Sequence, residues 1–164
     1  GANHIATALA MKAAGVEIRK LKFVVFNAGP QSTAAVLGGH VDVAVTPVSG
    51  IVPHLQAGRV RVIAVTSPRR LYGAFAAVPA WREHGVDMAF SSFRGVIGPR
   101  GMSRDQVEYW EEVLGRIVQT EDWQKDLEKN YREGGFMTSA DTVRYLKSQY
   151  EQYRPVLADL GLAK

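Results

Sequence analysis

A chain of 164 residues with 46% hydrophobic content has enough apolar mass for one ordinary domain or two small lobes, which excludes intrinsic disorder. Its 20 basic and 16 acidic residues leave a net charge of +4, and the one local basic cluster, Arg59, Arg61, Arg69 and Arg70, falls short of the concentrated face that nucleic-acid binding requires. There is no cysteine, so disulfides, thiolate metal sites and a cysteine nucleophile are excluded, and no apolar run approaches the roughly 20 residues that span a bilayer.

In chain order, Gly1-Ala2-Asn3-His4 stands directly before a helical pattern, without the basic, apolar and small-residue zones of a signal peptide, and points to a processed, truncated or excised piece. Ile5, Leu9 and Ala13 recur at helical spacing over residues 4 to 14, with Asn3 as the expected N-cap and Gly15 as the stop. Residues 22 to 26 form a short apolar run rich in aromatic and β-branched side chains and read as a buried strand. Pro30 suits a first helical position, because its missing N–H would be unpaired there, so Gln31 to Leu37 read as a brief helix ended by Gly38-Gly39. The unit recurs: a strand at 41 to 45, a Thr46-Pro47-Val48-Ser49 turn, a helix over 50 to 57 closed by Gly58, and a third strand at 60 to 65. All-apolar strands alternating with short helices predict an α/β fold with a mostly parallel sheet covered on both faces.

Residues 68 to 78 read as an irregular surface loop, 80 to 85 as a helical turn, and 88 to 98 as a long strand passing between lobes. From 103 onward the composition turns helical. Ser103 and Gln106 have capping-box spacing, and Val107, Trp110, Val113, Leu114, Ile117 and Val118 share a face expected to be inward. Thr120 caps a second helix, with Trp123 and Leu127 inward and Gly134-Gly135 as the break. Thr138 or Ser139 opens a last helix with Val143, Leu146, Tyr150, Tyr153 and Leu157 inward, a kink at Pro155 and an end at Gly161.

The ends of the expected strands carry the functional signal. Each finishes in a turn of Gly, Pro, Ser or Thr, and in a parallel sheet such turns share the edge where ligands bind. Helix N-termini there aim unpaired N–H groups and positive dipole ends at one crevice, which favours a small anion, with Ser32, Thr33, Thr46, Ser49 and Thr66 as hydroxyl donors. Ser and Thr are equally the ordinary helix caps, so the weight lies on their convergence. Catalysis finds little support. Gly29-Pro30-Gln31-Ser32-Thr33 does not match a nucleophile elbow, and His4, His40, His54 and His84 lack metal-ligand spacing; neither metal nor cofactor is called for. His4 is the best placed of the four, and Asp42, within an apolar run, reads as a structural hydrogen-bonding residue.

Gly1-Ala2-Asn3-His4, the Gly15 stop, Phe26-Asn27-Ala28-Gly29, the run from Leu37 to Val43, the run from Leu55 to Thr66, and Arg94 to Pro99 followed by Trp110 resemble, in order and spacing, the tripartite tricarboxylate transporter receptors of the Bug or TctC family. The resemblance implies a periplasmic-binding-protein-like receptor that closes by a hinge on a small organic acid and passes it to membrane permease subunits. It also implies main-chain N–H groups and hydroxyls as the carboxylate's partners, at Ala2, Asn3, His4, Ala28, Gly29, Ser32, Thr33, Thr46, Pro47 and Ser49. Ala2 stands where members commonly have serine. Residues 1–92 would be the ligand-binding lobe, and 93–164 a return crossover strand with helices that pack on the other lobe. The separate chain would then expose apolar faces and form a dimer or swapped assembly. The alternative is the ligand-sensing domain of a regulator built on the same plan.

Overall fold

The computed structural model of the protein describes residues 1–161, apart from the side chain of Arg19. Its helices are α1 (Ala2–Ala13), α2 (Gly29–Leu37), α3 (Val52–Gln56), α4 (Arg104–Ile117), α5 (Glu121–Lys129) and α6 (Ser139–Asp159). Single tight turns at Ile18–Lys20, Val48–Gly50, Gly73–Phe75 and Trp81–His84 punctuate the connections. The chain divides into two compact units: residues 1–92 with the chain from Tyr153 onward, and Phe93–Gln152. The second division falls inside α6.

The first unit is built on alanine-rich α1, whose Ala6, Ala8 and Ala10 are all buried and let neighbouring backbone approach closely. Gly15, at φ +67°, supplies the left-handed residue that turns the chain away from this helix. Ala10 packs with Val86 and Met88, and Leu9, Met11, Trp81 and Phe90 surround them. Phe75 and Val156 are the largest fully buried side chains. The stretch 68 to 78 is therefore not wholly superficial: the Gly73–Phe75 turn satisfies its own backbone, with the Phe75 N–H on the Tyr72 carbonyl at 3.2 Å, and this allows the ring inside.

The expected sheet does not form among the described residues. The stretches 22 to 26, 41 to 45, 60 to 65 and 88 to 98 lie outside any ladder, and pairing is limited to an isolated parallel bridge between Val65 and Ala80. Around it, the Val65 N–H meets the Pro79 carbonyl at 2.9 Å, and the Phe90 N–H meets the Thr66 carbonyl at 2.8 Å. β-branched runs favour extended backbone, but a ladder needs a neighbour in register about 4.8 Å away. Without one, Val24, Val25, Val43 and Ile63 are exposed instead of buried on two faces. Asp42 is exposed too, so its carboxylate is hydrated and needs no structural partner.

In the second unit the caps follow the sequence closely. The Ser103 hydroxyl accepts the Gln106 N–H at 3.3 Å while the Gln106 side chain accepts the Ser103 N–H at 2.9 Å, a reciprocal box at the start of α4. The Thr120 hydroxyl accepts the Trp123 N–H at 3.3 Å, and the Thr138 hydroxyl accepts the Asp141 N–H at 3.2 Å. From α4, Glu111 reaches the N–H of Ser139 at 2.6 Å. The break after α5 comes earlier than Gly134-Gly135, at Asn130 and Tyr131, where Tyr131 takes φ +53°. The faces expected to be inward are largely open: Trp110, Ile117, Val143, Leu146 and Tyr150 are exposed, while Leu127 is buried. Helical spacing defines an apolar stripe, but burial requires something laid against it.

Arg70 makes a forked contact to Glu83, its Nε 2.9 Å from both carboxylate oxygens and its Nη2 2.6 Å from Oε2, while Glu83 Oε1 also accepts the Ala80 N–H at 2.8 Å. The guanidinium bond first, and the backbone bond second, pull the Glu83 carboxyl from 4.5 down to about 2. Because the folded value lies below the unfolded one, this contribution is complete above pH 4.5 and is lost as pH falls toward 2. Glu111 and Asp141 are held low as well, so the informative quantity is the difference between variant and parent. Glu83→Gln should lower Tm near neutrality and decline less steeply than the parent through that acid range. Parallel Tm curves for the two proteins would show that the ion pair contributes nothing.

Candidate functional site

Three segments of the first unit meet at one place. The N-cap of α1 is Gly1, not Asn3, which leaves the Asn3 side chain free of capping: its Nδ2 donates to the Val45 carbonyl at 3.0 Å, next to Thr46. Ala28 is the N-cap of α2, and Gly29 opens that helix so close to the Thr46 turn that a Cβ on it would lie 3.5 Å from Thr46 Oγ1 and 3.8 Å from Pro47 Cδ. The start of α1, the start of α2 and the Val45-Thr46-Pro47 corner are thus neighbours.

The electrostatics follow from what these helix starts lack. Neither Gly1 nor Ala28 offers a side-chain cap, and neither first turn contains an acidic residue. A helix leaves its first N–H groups without intrahelical partners and carries a partial positive charge at that end. In α1 the N–H groups of His4 and Ile5 already reach back to the Gly1 carbonyl at 3.1 and 3.3 Å, which leaves those of Ala2 and Asn3 at the open end. In α2, Pro30 has no N–H and the Gln31 N–H returns to Ala28 at 3.2 Å, which leaves that of Gly29. Ala2, Asn3 and Ala28 are exposed, so this end of the unit is wet and suited to a small anion.

The other expected site residues lie in different surroundings. Ser32 is buried, and its Oγ donates to the Gly29 carbonyl at 2.8 Å, so its hydroxyl proton is engaged within its own helix. Thr33 is buried as well. Thr46 is half-buried beside Gly29, Pro47 is exposed, and Ser49 is exposed in the Val48–Gly50 turn. His4 is half-buried, its ring 4.5 Å from that of Phe23, and its Nε2 is shielded without a hydrogen-bond partner. His54 Nδ1 is in the same condition. No cluster of His, Asp or Glu suited to a metal occurs among the described residues. The Val45 carbonyl and the Phe23 ring were not legible as parts of this corner, because a main-chain acceptor leaves no mark on residue type and Phe23 reads like any core aromatic.

Adjoining helix starts with exposed main-chain donors form a corner suited to a small anion. The chain belongs to the tripartite tricarboxylate transporter family of receptors, TctC, whose model matches residues 1–162. That is a family of solute-binding receptors, not a class of enzymes. The UPF0065 protein in the gbd 5'region of Cupriavidus necator is 26% identical over 157 residues, covering 95% of this chain and 46% of that protein. A second UPF0065 protein, from Bordetella bronchiseptica, is 26% identical over 99 residues, or 60% of this chain and 29% of its own length. A crystal structure of a TctC solute binding protein from Polaromonas, without ligand, matches with a TM-score of 0.73 at 18% identity, over 96% of this chain and 54% of that one. At that identity the likeness is one of fold. This chain spans about half the length of the relatives it matches.

Asn3 is the side chain that links two of the three segments. Losing a single exposed hydrogen bond costs about 1 kcal/mol, so Asn3→Ala should destabilise the chain by about that amount in urea unfolding, while Asn3→Asp, which cannot donate to the Val45 carbonyl but gains from the positive end of α1, should fall between Asn3→Ala and the parent. Unchanged midpoints in both variants would mean that the Asn3–Val45 bond does not hold this corner.

Proposed function

We propose that this chain is the ligand-closing half of an extracytoplasmic, periplasmic solute-binding receptor. Its ligand is a small organic acid: a tricarboxylate, a dicarboxylate, an acidic amino acid or an aromatic acid. Residues 1–92 act as the binding lobe. Residues 93–164 act as the return crossover and as helices that belong with the other lobe, whose packing covers the apolar stripes of α4 and α6. The acid's carboxylate bridges the two lobes and binds the closed arrangement better than the open one, which shifts the population toward closure. The closed receptor is what the permease subunits of a tripartite tricarboxylate-type transporter engage. No bond is made or broken.

One observation carries this reading: the uncapped starts of α1 and α2 adjoin the Thr46-Pro47 turn, with Asn3 bonded to Val45 and Gly29 beside Thr46. Ala2, Asn3, His4, Ala28 and Gly29 provide the helix-start wall; Thr46, Pro47 and Ser49 provide the turn. Ser32 and Thr33 act from behind as packing that holds the first turn of α2. Among the described residues no helix is long and apolar enough to cross a membrane.

The test is calorimetric titration of the full-length receptor with citrate, succinate, glutamate and benzoate. At least one should bind, and Ala28→Asp should weaken it tenfold or more while leaving Tm equal or higher. An aspartate at an N-cap stabilises the helix, yet it occupies the N–H groups and neutralises the positive end that the ligand needs. Binding of a sugar or a nucleotide with none of the acids would refute the carboxylate reading, as would an acid affinity indifferent to Ala28→Asp.

A further inference from the structure

The end of α6 belongs to the first unit, and it meets α1 through an ion pair at the end opposite the candidate site. Val156 is 2% exposed, one of the two largest fully buried side chains. The Tyr153 ring lies 5.8 Å from that of Phe90, and Phe90 packs against the cluster that contains Ala10 of α1. Two turns further on, Asp159 Oδ2 meets Lys12 Nζ at 2.6 Å, in the last turn of α1. Asp159 is placed against the local interest of its own helix, since a negative charge at a helix C-terminus opposes the dipole, and the last turn of α6 has no basic residue to offset it. Its favourable electrostatic partner is Lys12.

We propose that Tyr153–Asp159 is a strap that fixes α1 and thereby sets the position of the Gly1–His4 turn. α1 is a rod of twelve residues, about 18 Å long at the α-helical rise. It is pinned at one end by the Asn3 bond to Val45 and at the other by Lys12 and the Phe90 cluster. The continuous backbone ladder of α1, with Ala6, Ala8 and Ala10 buried between the pins, resists bending, so a shift at the Lys12 end tilts the helix and moves its open N–H groups relative to Gly29 and Thr46. Lys12 and Asp159 are then positioning residues for a site they do not touch. This inference rests on reading the Gly1–His4 turn as part of the binding site.

The test is hydrogen–deuterium exchange of the whole chain without ligand, so its outcome does not depend on which acid binds or on whether any does. Asp159→Lys places two cations together and should speed exchange along α1, including Ala6 to Ala8 in its middle, by about two- to fivefold, the scale of an exposed ion pair. Exchange in α4 should not change. The swap of Lys12→Asp with Asp159→Lys should restore the protection. If Asp159→Lys fails to fold, Asp159→Asn provides the same comparison with the charge removed. Unchanged protection of α1, a rise confined to Leu9 to Ala13, or no recovery in the swap would each overturn the strap.

Discussion

The main constraint on this chain is the set of backbone N–H groups at helix starts that have no carbonyl of their own to bond. Most helices satisfy these groups with a serine, threonine or aspartate cap, as α4 and α5 do here through Ser103 and Thr120. α1 and α2 begin instead at Gly1 and Ala28, without a capping side chain or an acidic first turn. That leaves donors and partial positive charge at the surface, and the fold brings the two starts to the same corner, against Thr46 and Pro47. Water can satisfy these groups, and so can a carboxylate.

The rest of the first unit can be understood as a means of holding that corner. The alanines of α1 are buried, the Ala10, Val86 and Met88 cluster supports its second half, and the end of α6 adds the Tyr153 ring beside Phe90 and the Asp159 ion pair to Lys12. The Arg70 fork to Glu83 secures the turn that leads into Val86 and Met88. The second unit is built differently: its helices are well capped but bury little, and their apolar stripes are largely exposed.

Much of the helical framework could be read from residue types because its signals are local. The Gly15 stop, Pro30 at the start of α2, the Ser103 and Gln106 box and the Thr120 cap each act within one turn of chain. What depended on distant partners was less legible. The runs at 22 to 26 and 41 to 45 have strand composition, but composition cannot supply a neighbouring strand in register. The stripe at Val143, Leu146 and Tyr150 has the spacing of a buried face, but spacing cannot place anything over it. Asn3 looked like a cap and instead reaches 42 residues along the chain to a carbonyl. In the candidate site the turns were legible from their Gly, Pro and Thr content. The main-chain donors there are the same in every residue, and the bond of the Ser32 hydroxyl to the Gly29 carbonyl leaves no mark on residue type.

The central claim, that the adjoining starts of α1 and α2 hold a carboxylate, is tested most directly by a crystal structure of the full-length receptor with its organic acid bound. The account predicts a carboxylate oxygen within hydrogen-bonding distance of the N–H groups of Ala2 or Asn3 and of Gly29, beside Thr46. An acid held elsewhere, with those N–H groups bonded only to water, would contradict it.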